Sequence, residues 1–278
     1  MVLWPAEGAA IVEPEPASPP VPAWKAVHDR QLQQADWYWL IAQPDHAMLA
    51  GELARAFNSP DCPSLDDEVV TAIALHDAGW RSFDGGEGHG CTQNANAREM
   101  ASAPLRNAAG RPLSFFEIRP VDFLRAWEDS INEAEEAVGA LGGLLVSNHF
   151  CRLGTHRLEG TEDTAENVAL VRGFLATESR KNTFRLTRQS RSEPQVERLV
   201  DVLQFCDLLS LYLCCGAKVS VVFPQPIAPE PIVAKRVGEL CVLQPSPFTR
   251  GLSLSVAARR DPPLQSGPNF STLTILLQ

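Results

Sequence analysis

Thr71-Ala-Ile-Ala-Leu-His-Asp-Ala-Gly-Trp80 is the stretch on which the reading of this chain turns. An apolar run at helical spacing ends in adjacent His76 and Asp77 and breaks at Gly79. Val69, Ala72, Ile73 and His76 share one face, so the imidazole points inward at the C-terminal end of a buried helix. A histidine beside a carboxylate there supplies half of a metal site. Taken alone, the pair equally suits a helix end at which His caps carbonyls and Asp meets water. The decision rests on whether partner ligands occur elsewhere on buried faces.

Upstream, Gln43-Pro44-Asp45-His46 reads as a helix start, with Pro in the first turn and an acid at its positive end. His46, Leu49, Ala50, Leu53, Ala54 and Phe57 then follow one stripe, which places His46 on the buried face. Ser64 is the expected N-cap of the helix that carries His76, with Asp66, Asp67 and Glu68 in its first turn. Far downstream a helix expected from Pro194 to Gly216 has Val196, Leu199, Val200, Leu203, Asp207, Ser210, Leu211 and Cys214 on one stripe. A lone buried carboxylate is expensive unless it is paired or bound to a cation. The alternative for Asp207 is a core acid satisfied by a hydroxyl or an Arg.

His46, His76, Asp77 and Asp207 together offer imidazole nitrogen and carboxylate oxygen. That set suits Fe, Mn, Ni, Zn or Mg, as one or two ions, better than a thiolate-seeking metal. Such an ion lowers the pKa of a bound water and polarises a phosphoryl oxygen. His149, in Ser147-Asn148-His149-Phe150, is a further ligand or substrate contact, or else a hydrogen-bonded core histidine. Arg152 offers a planar fork to an anion and is placed with His156 in a turn region. Trp80 and Ser210 are expected in the pocket wall. His28 and His156 are read as surface residues and His89 as solvated.

The order His46, then His76-Asp77, then Asp207 resembles the H…HD…D signature of the HD superfamily of metal-dependent phosphohydrolases. The match runs over roughly residues 40 to 216. More closely, Gln43-Pro44-Asp45-His46-Ala47, His76-Asp77-Ala78-Gly79-Trp80, Ser147-Asn148-His149-Phe150 and the block Asp207 to Cys214 resemble a bacterial family of unknown function related to HD domains. The resemblance implies a helical core with each ligand on a different helix. It also implies hydrolysis of a small phosphate ester, phosphodiester or nucleotide. Many HD enzymes carry a Lys soon after the HD pair, where this chain has Trp80 and Arg81. A minority of the superfamily uses a di-iron centre for oxygenation, so an oxygenase or lyase is the second expectation. A non-catalytic module that binds a ligand or partner is the third.

The rest of the chain frames this core. Residues 1–40 read as a Pro-, Ala- and Glu-rich loose arm, followed by an aromatic strand or approach around Trp37, Tyr38 and Trp39. Residues 81–114 read as a long Gly-rich loop. Helices are expected from Pro120, over Ala137 to Phe150, and over Thr161 to Thr177, with a basic solvated segment from Arg180 to Arg191. After Gly216 the pattern turns to alternating and β-branched runs between Pro and Gly. The fold class is therefore mainly α over residues 41–216, with a β-rich module over 217–278: α+β overall.

The chain has 278 residues, 45% hydrophobic and 21% charged, a net charge of −10 and a pI near 5.1. That acidity argues against a large nucleic-acid partner, because phosphate affinity comes mostly from Lys and Arg. A small phosphorylated substrate is the expected partner, and a homodimer is compatible with this composition. Seven cysteines without a C-x-x-C pair read as reduced thiols in a cytoplasmic protein. No run reaches the ~18 apolar residues of a membrane span, and no signal peptide is read at the N-terminus.

Overall fold

A computed structural model describes residues 1–5, 28, 30–60, 62–84, 105–160 and 163–278. The fold is an α+β mix, a helical layer packed on one seven-stranded sheet. The Pro-rich segment after residue 5, Trp24, the Gly85–Gly90 loop, His89 and Cys91 lie outside the described residues.

The helices that position the cluster and its surroundings are α1 (Gln43–Ala56), α2 (Asp67–Ala74), α3 (Pro120–Val138), α4 (Ala140–Glu159), α5 (Ala165–Thr187) and α6 (Glu193–Cys214). α1 starts as expected, with Pro44 in its first turn and Asp45 near its N-terminus. The cap of α2 is Asp66, whose carboxylate accepts the Val69 N–H at 3.1 Å, rather than Ser64. The acid two residues later satisfies a free amide and also favours the helix's positive end. α6 begins with a reciprocal capping box between Ser192 and Gln195.

The strands are β1 (Val2–Pro5), β2 (Tyr38–Ile41), β3 (Val221–Val222), β4 (Val233–Val237), β5 (Leu240–Gln244), β6 (Leu252–Asp261) and β7 (Phe270–Leu277). Their order is β1-β2-β6-β7-β5-β4-β3, antiparallel apart from the β5–β7 pair. Residues 2–5 are thus a half-buried to buried edge strand instead of the start of a loose arm. β2 pairs with β6 and leads, one residue later, into the helix that carries His46. The sheet thereby anchors the helix that carries His46.

Three further expectations change. Arg152 and His156 lie within α4 rather than in a turn. α5 runs on to Thr187, through much of the segment read as basic and solvated, and buries Glu178, Asn182 and Arg185. His28 is buried, not on the surface. A kink at Gly139, whose φ of 73° suits a residue without a side chain, separates α3 from α4.

After α2 the chain makes a single 3₁₀ turn, Ala78–Trp80, that packs across α3. The Gly79 N–H donates to Ser130 Oγ at 2.9 Å, and that hydroxyl donates to the Ala126 carbonyl at 2.9 Å. A Cβ at Gly79 would stand 2.2 Å from the Ala126 oxygen and 2.6 Å from the Ser130 nitrogen. Both are helix backbone, which yields little. Gly79→Ala should therefore push the His76-Asp77 turn away from α3. The expected loss is at the upper end of the ~1–3 kcal/mol typical of overpacking, read from the urea-denaturation midpoint. An unchanged midpoint would show that the two segments are not in close contact.

Candidate metal centre

Four elements bring the polar residues together inside the apolar layer. His46 comes from the first turn of α1, His76 and Asp77 from the turn after α2, His149 from the middle of α4, and Asp207 with Ser210 from α6. The three imidazoles are 0–1% exposed, while Asp77 and Asp207 are 6% and 5% exposed. The little access that remains is therefore on the carboxylate side.

Hydrogen bonds at the outer edges of the rings set their tautomers. His76 Nδ1 lies 2.7 Å from the Ile73 carbonyl oxygen. A carbonyl only accepts, so Nδ1 carries the hydrogen and donates it. Ser210 Oγ donates its single hydrogen to the Asp207 carbonyl at 2.8 Å and lies 2.9 Å from His46 Nδ1. Both contacts are made together only when His46 Nδ1–H donates to the hydroxyl oxygen. Each ring then turns its Nε2 inward: His46 Nε2 lies 2.8 Å from Asp77 Oδ2, and His76 Nε2 lies 3.2 Å from Asp207 Oδ1 and 3.9 Å from Asp77 Oδ2. A nitrogen lone pair facing a carboxylate oxygen at such distances requires a cation between them, either a proton or a metal ion.

Burial works against charge on His76, but Asp77, Asp207 and its hydrogen bonds outweigh it and raise its pKa to about 9. Burial likewise works to raise Asp207, yet the His76 hydrogen bond and the surrounding imidazoles hold it at about 2. His149 is different. Burial dominates and lowers it to about 4, so its ring is neutral. His149 Nε2 is 3.7 Å from Asp207 Oδ2, and its buried Nδ1 has no partner among the described residues.

The ligand atoms of His46, His76 and Asp77 lie within 4.8 Å of one another, as do those of His76, His149 and Asp207. The two groups share His76, so the donor set fits one divalent ion or an adjacent pair. The four residues singled out in the sequence, His46, His76, Asp77 and Asp207, fall in these two overlapping groups, and His149 joins them. The model "Protein of unknown function (DUF3891)" matches residues 31–260, most of the chain and all of this cluster. The chain belongs to the DUF3891 family. No curated protein and no solved structure matches it.

The remaining sequence candidates of this DUF3891 protein fall around the cluster. Ser210 touches His46 directly. Trp80 is 3% exposed, packs on Phe83 with ring centroids 5.6 Å apart, and has no partner for its Nε1–H among the described residues. Arg152 is spoken for: it reaches Asp201 at 2.8 Å, Gln204 at 2.9 Å and Glu197 at 2.5 Å along α6. His156 is exposed, as expected. No helix among the described residues is long and apolar enough to cross a membrane. The backbone acceptor of His76 had no signal in the sequence, because every helical residue carries a carbonyl.

Proposed function

We propose that this chain is an HD-like metal-dependent hydrolase acting on a small phosphate ester, phosphodiester or nucleotide. The observation that carries the reading is the pair of imidazoles with their Nδ1–H groups spent on Ser210 and Ile73 and their Nε2 atoms turned to Asp77 and Asp207. Outer hydrogen bonds that fix ring orientation in this way are characteristic of ligating histidines. A divalent ion would supply Lewis acidity, making water more acidic and polarising a phosphoryl oxygen.

The protein's own groups do the rest. His46, His76, Asp77 and Asp207 would bind the ion, and the two carboxylates offset its charge. Neutral His149 stands beside Asp207 and offers a hydrogen bond to a reacting group without adding charge. Its ring leans on Phe150, which stacks on Trp127 at 4.7 Å, and this apolar backing keeps bulk water off that side. With Asp77 and Asp207 only 6% and 5% exposed, this reading favours a small substrate over a polymer.

The test is elemental analysis of protein purified without added metal, followed by phosphomonoesterase and phosphodiesterase assays with Mn²⁺, Fe²⁺, Ni²⁺, Zn²⁺ and Mg²⁺. One or two equivalents of metal with metal-dependent phosphate release would support the reading. Bound iron with O₂ consumption and no phosphate release would replace it with the oxygenase. No metal under any loading condition would leave a binding module.

Loading has a pH signature. An ion at His76 must displace the proton that its pKa of about 9 retains at neutral pH. Affinity for Zn²⁺ or Co²⁺ should therefore rise by up to about tenfold per pH unit from neutral pH and level off above about 9. A titration series across that range checks it, and a flat profile would remove His76 from the ligand set.

A further inference from the structure

We propose that Ser210 is a positioning residue that selects the metal-ready tautomer of His46. The proposal rests on the metal reading only for its consequence, since the hydrogen-bond geometry stands without an ion. Ser210 is 0% exposed and lies one helical turn after Asp207 on α6. Its hydroxyl has one hydrogen, which goes to the Asp207 carbonyl at 2.8 Å. What it presents to His46 Nδ1 at 2.9 Å is then a lone pair. The ring must keep its hydrogen on Nδ1, and Nε2 is left as the donor atom 2.8 Å from Asp77 Oδ2.

The consequence reaches across the fold. His46 and Ser210 are separated by 164 residues, and His76 and Asp207 by 131. Asp77, His46, Ser210, the Asp207 backbone, the Asp207 carboxylate and His76 close a ring of contacts that spans α1, the turn after α2 and α6. Ser210 is the member of that ring that ligates nothing. It registers α6 against α1, so that the ligands of both helices face the same point.

The test uses Co²⁺ as the probe and three proteins: wild type, Ser210→Ala and Ser210→Thr. Alanine removes the acceptor, whereas threonine keeps the hydroxyl. Co²⁺ affinity should fall ~10–100-fold in Ser210→Ala, the usual cost of losing an outer hydrogen bond to a ligand, and Ser210→Thr should recover most of it. Equal affinity in all three would overturn the proposal. A second readout needs no metal and leaves Ser210 in place. In ¹H–¹⁵N spectra of the wild type, a ring N–H assigned to His46 by its absence in His46→Asn should reside on Nδ1. A hydrogen on Nε2 alone would overturn the proposal even if Co²⁺ binds. Conversely, an Nδ1–H in a protein that never takes up Co²⁺ would uphold Ser210 while defeating the metal reading.

Discussion

Asp207→Ala should empty the centre while leaving the fold in place. The carboxylate accepts from His76 at 3.2 Å, approaches His149 at 3.7 Å, and belongs to a set of ligand atoms closer than 4.8 Å. Its loss deprives the site of one donor and of one of the two negative charges that offset a divalent cation. A direct ligand should matter more than an outer contact, so affinity should drop by more than the ~100-fold upper range of outer-shell changes. The fold should survive, because burying this carboxylate is itself unfavourable and His76 can shed its proton once the partner is gone. Elemental analysis and Co²⁺ titration of wild type, Asp207→Asn and Asp207→Ala give the measurement. The asparagine keeps the shape but not the charge, so it should resemble alanine in affinity. Wild-type metal content in both variants would place any bound ion elsewhere.

Much of this cluster is legible because His46 and Asp207 sit on apolar stripes of two helices and His76 follows the apolar stripe of a third into the turn after α2. Periodicity places His46, His76 and Asp207 inward without knowledge of the partner helices. What periodicity leaves out is the direction of each ring, which Ser210 and the Ile73 carbonyl decide. Two misreadings have a common cause. A hydrophobic pattern ends α4 at Phe150, because the residues that follow include Arg152, Gly154, Thr155 and His156, and so leaves Arg152 to a turn. The same pattern ends α5 at Thr177, because the next inward positions are Glu178, Asn182 and Arg185. Those residues keep the i, i+4, i+7 spacing of a buried face, but in polar residues that a hydrophobic pattern does not count. The β1 edge strand was hidden similarly, since its four residues adjoin a Pro-rich segment and acquire meaning only beside β2.

The polar inner face of α5 leads to the second large expected effect, Glu178→Ala. The Glu178 and Arg185 side chains are 1% and 4% exposed, and Arg185 Nη1 donates to Glu178 Oε2 at 2.7 Å. The same oxygen accepts from Ser147 on α4 at 2.9 Å, while Oε1 accepts from Lys181 at 2.7 Å. Arg185 Nε donates to Glu135 on α3 at 2.8 Å, and Nη1 also reaches Asn182 Oδ1 at 2.9 Å. Gly143 makes room for this crossing, since a Cβ there would lie 2.7 Å from Glu135 Oε2 and 2.9 Å from Arg185 Nε. Burial works to raise the Glu178 carboxyl, but hydrogen bonds from Lys181, Arg185 and Ser147 hold it below its ordinary 4.5. Its stabilising contribution is therefore present above that value and is lost as the pH falls through the lower folded one.

Glu178→Ala strands a buried guanidinium, leaving it, among the described residues, the partly exposed Glu135 as a charge partner and Asn182 as a neutral acceptor. Breaking such a pair from one side costs about 3–5 kcal/mol, whereas replacing both partners with apolar residues is often near neutral. Glu178→Ala should accordingly lower the urea midpoint sharply, and Glu178→Met combined with Arg185→Met should recover much of the loss. If the double variant were the less stable of the two, the pair would be a net stabiliser and not chiefly a matched set of buried charges. Because Ser147 stands two residues before His149 on α4, the same variants bear on the centre. A loss of metal in Glu178→Ala, restored in the double variant, would mean that this network sets the rotation at which α4 delivers His149.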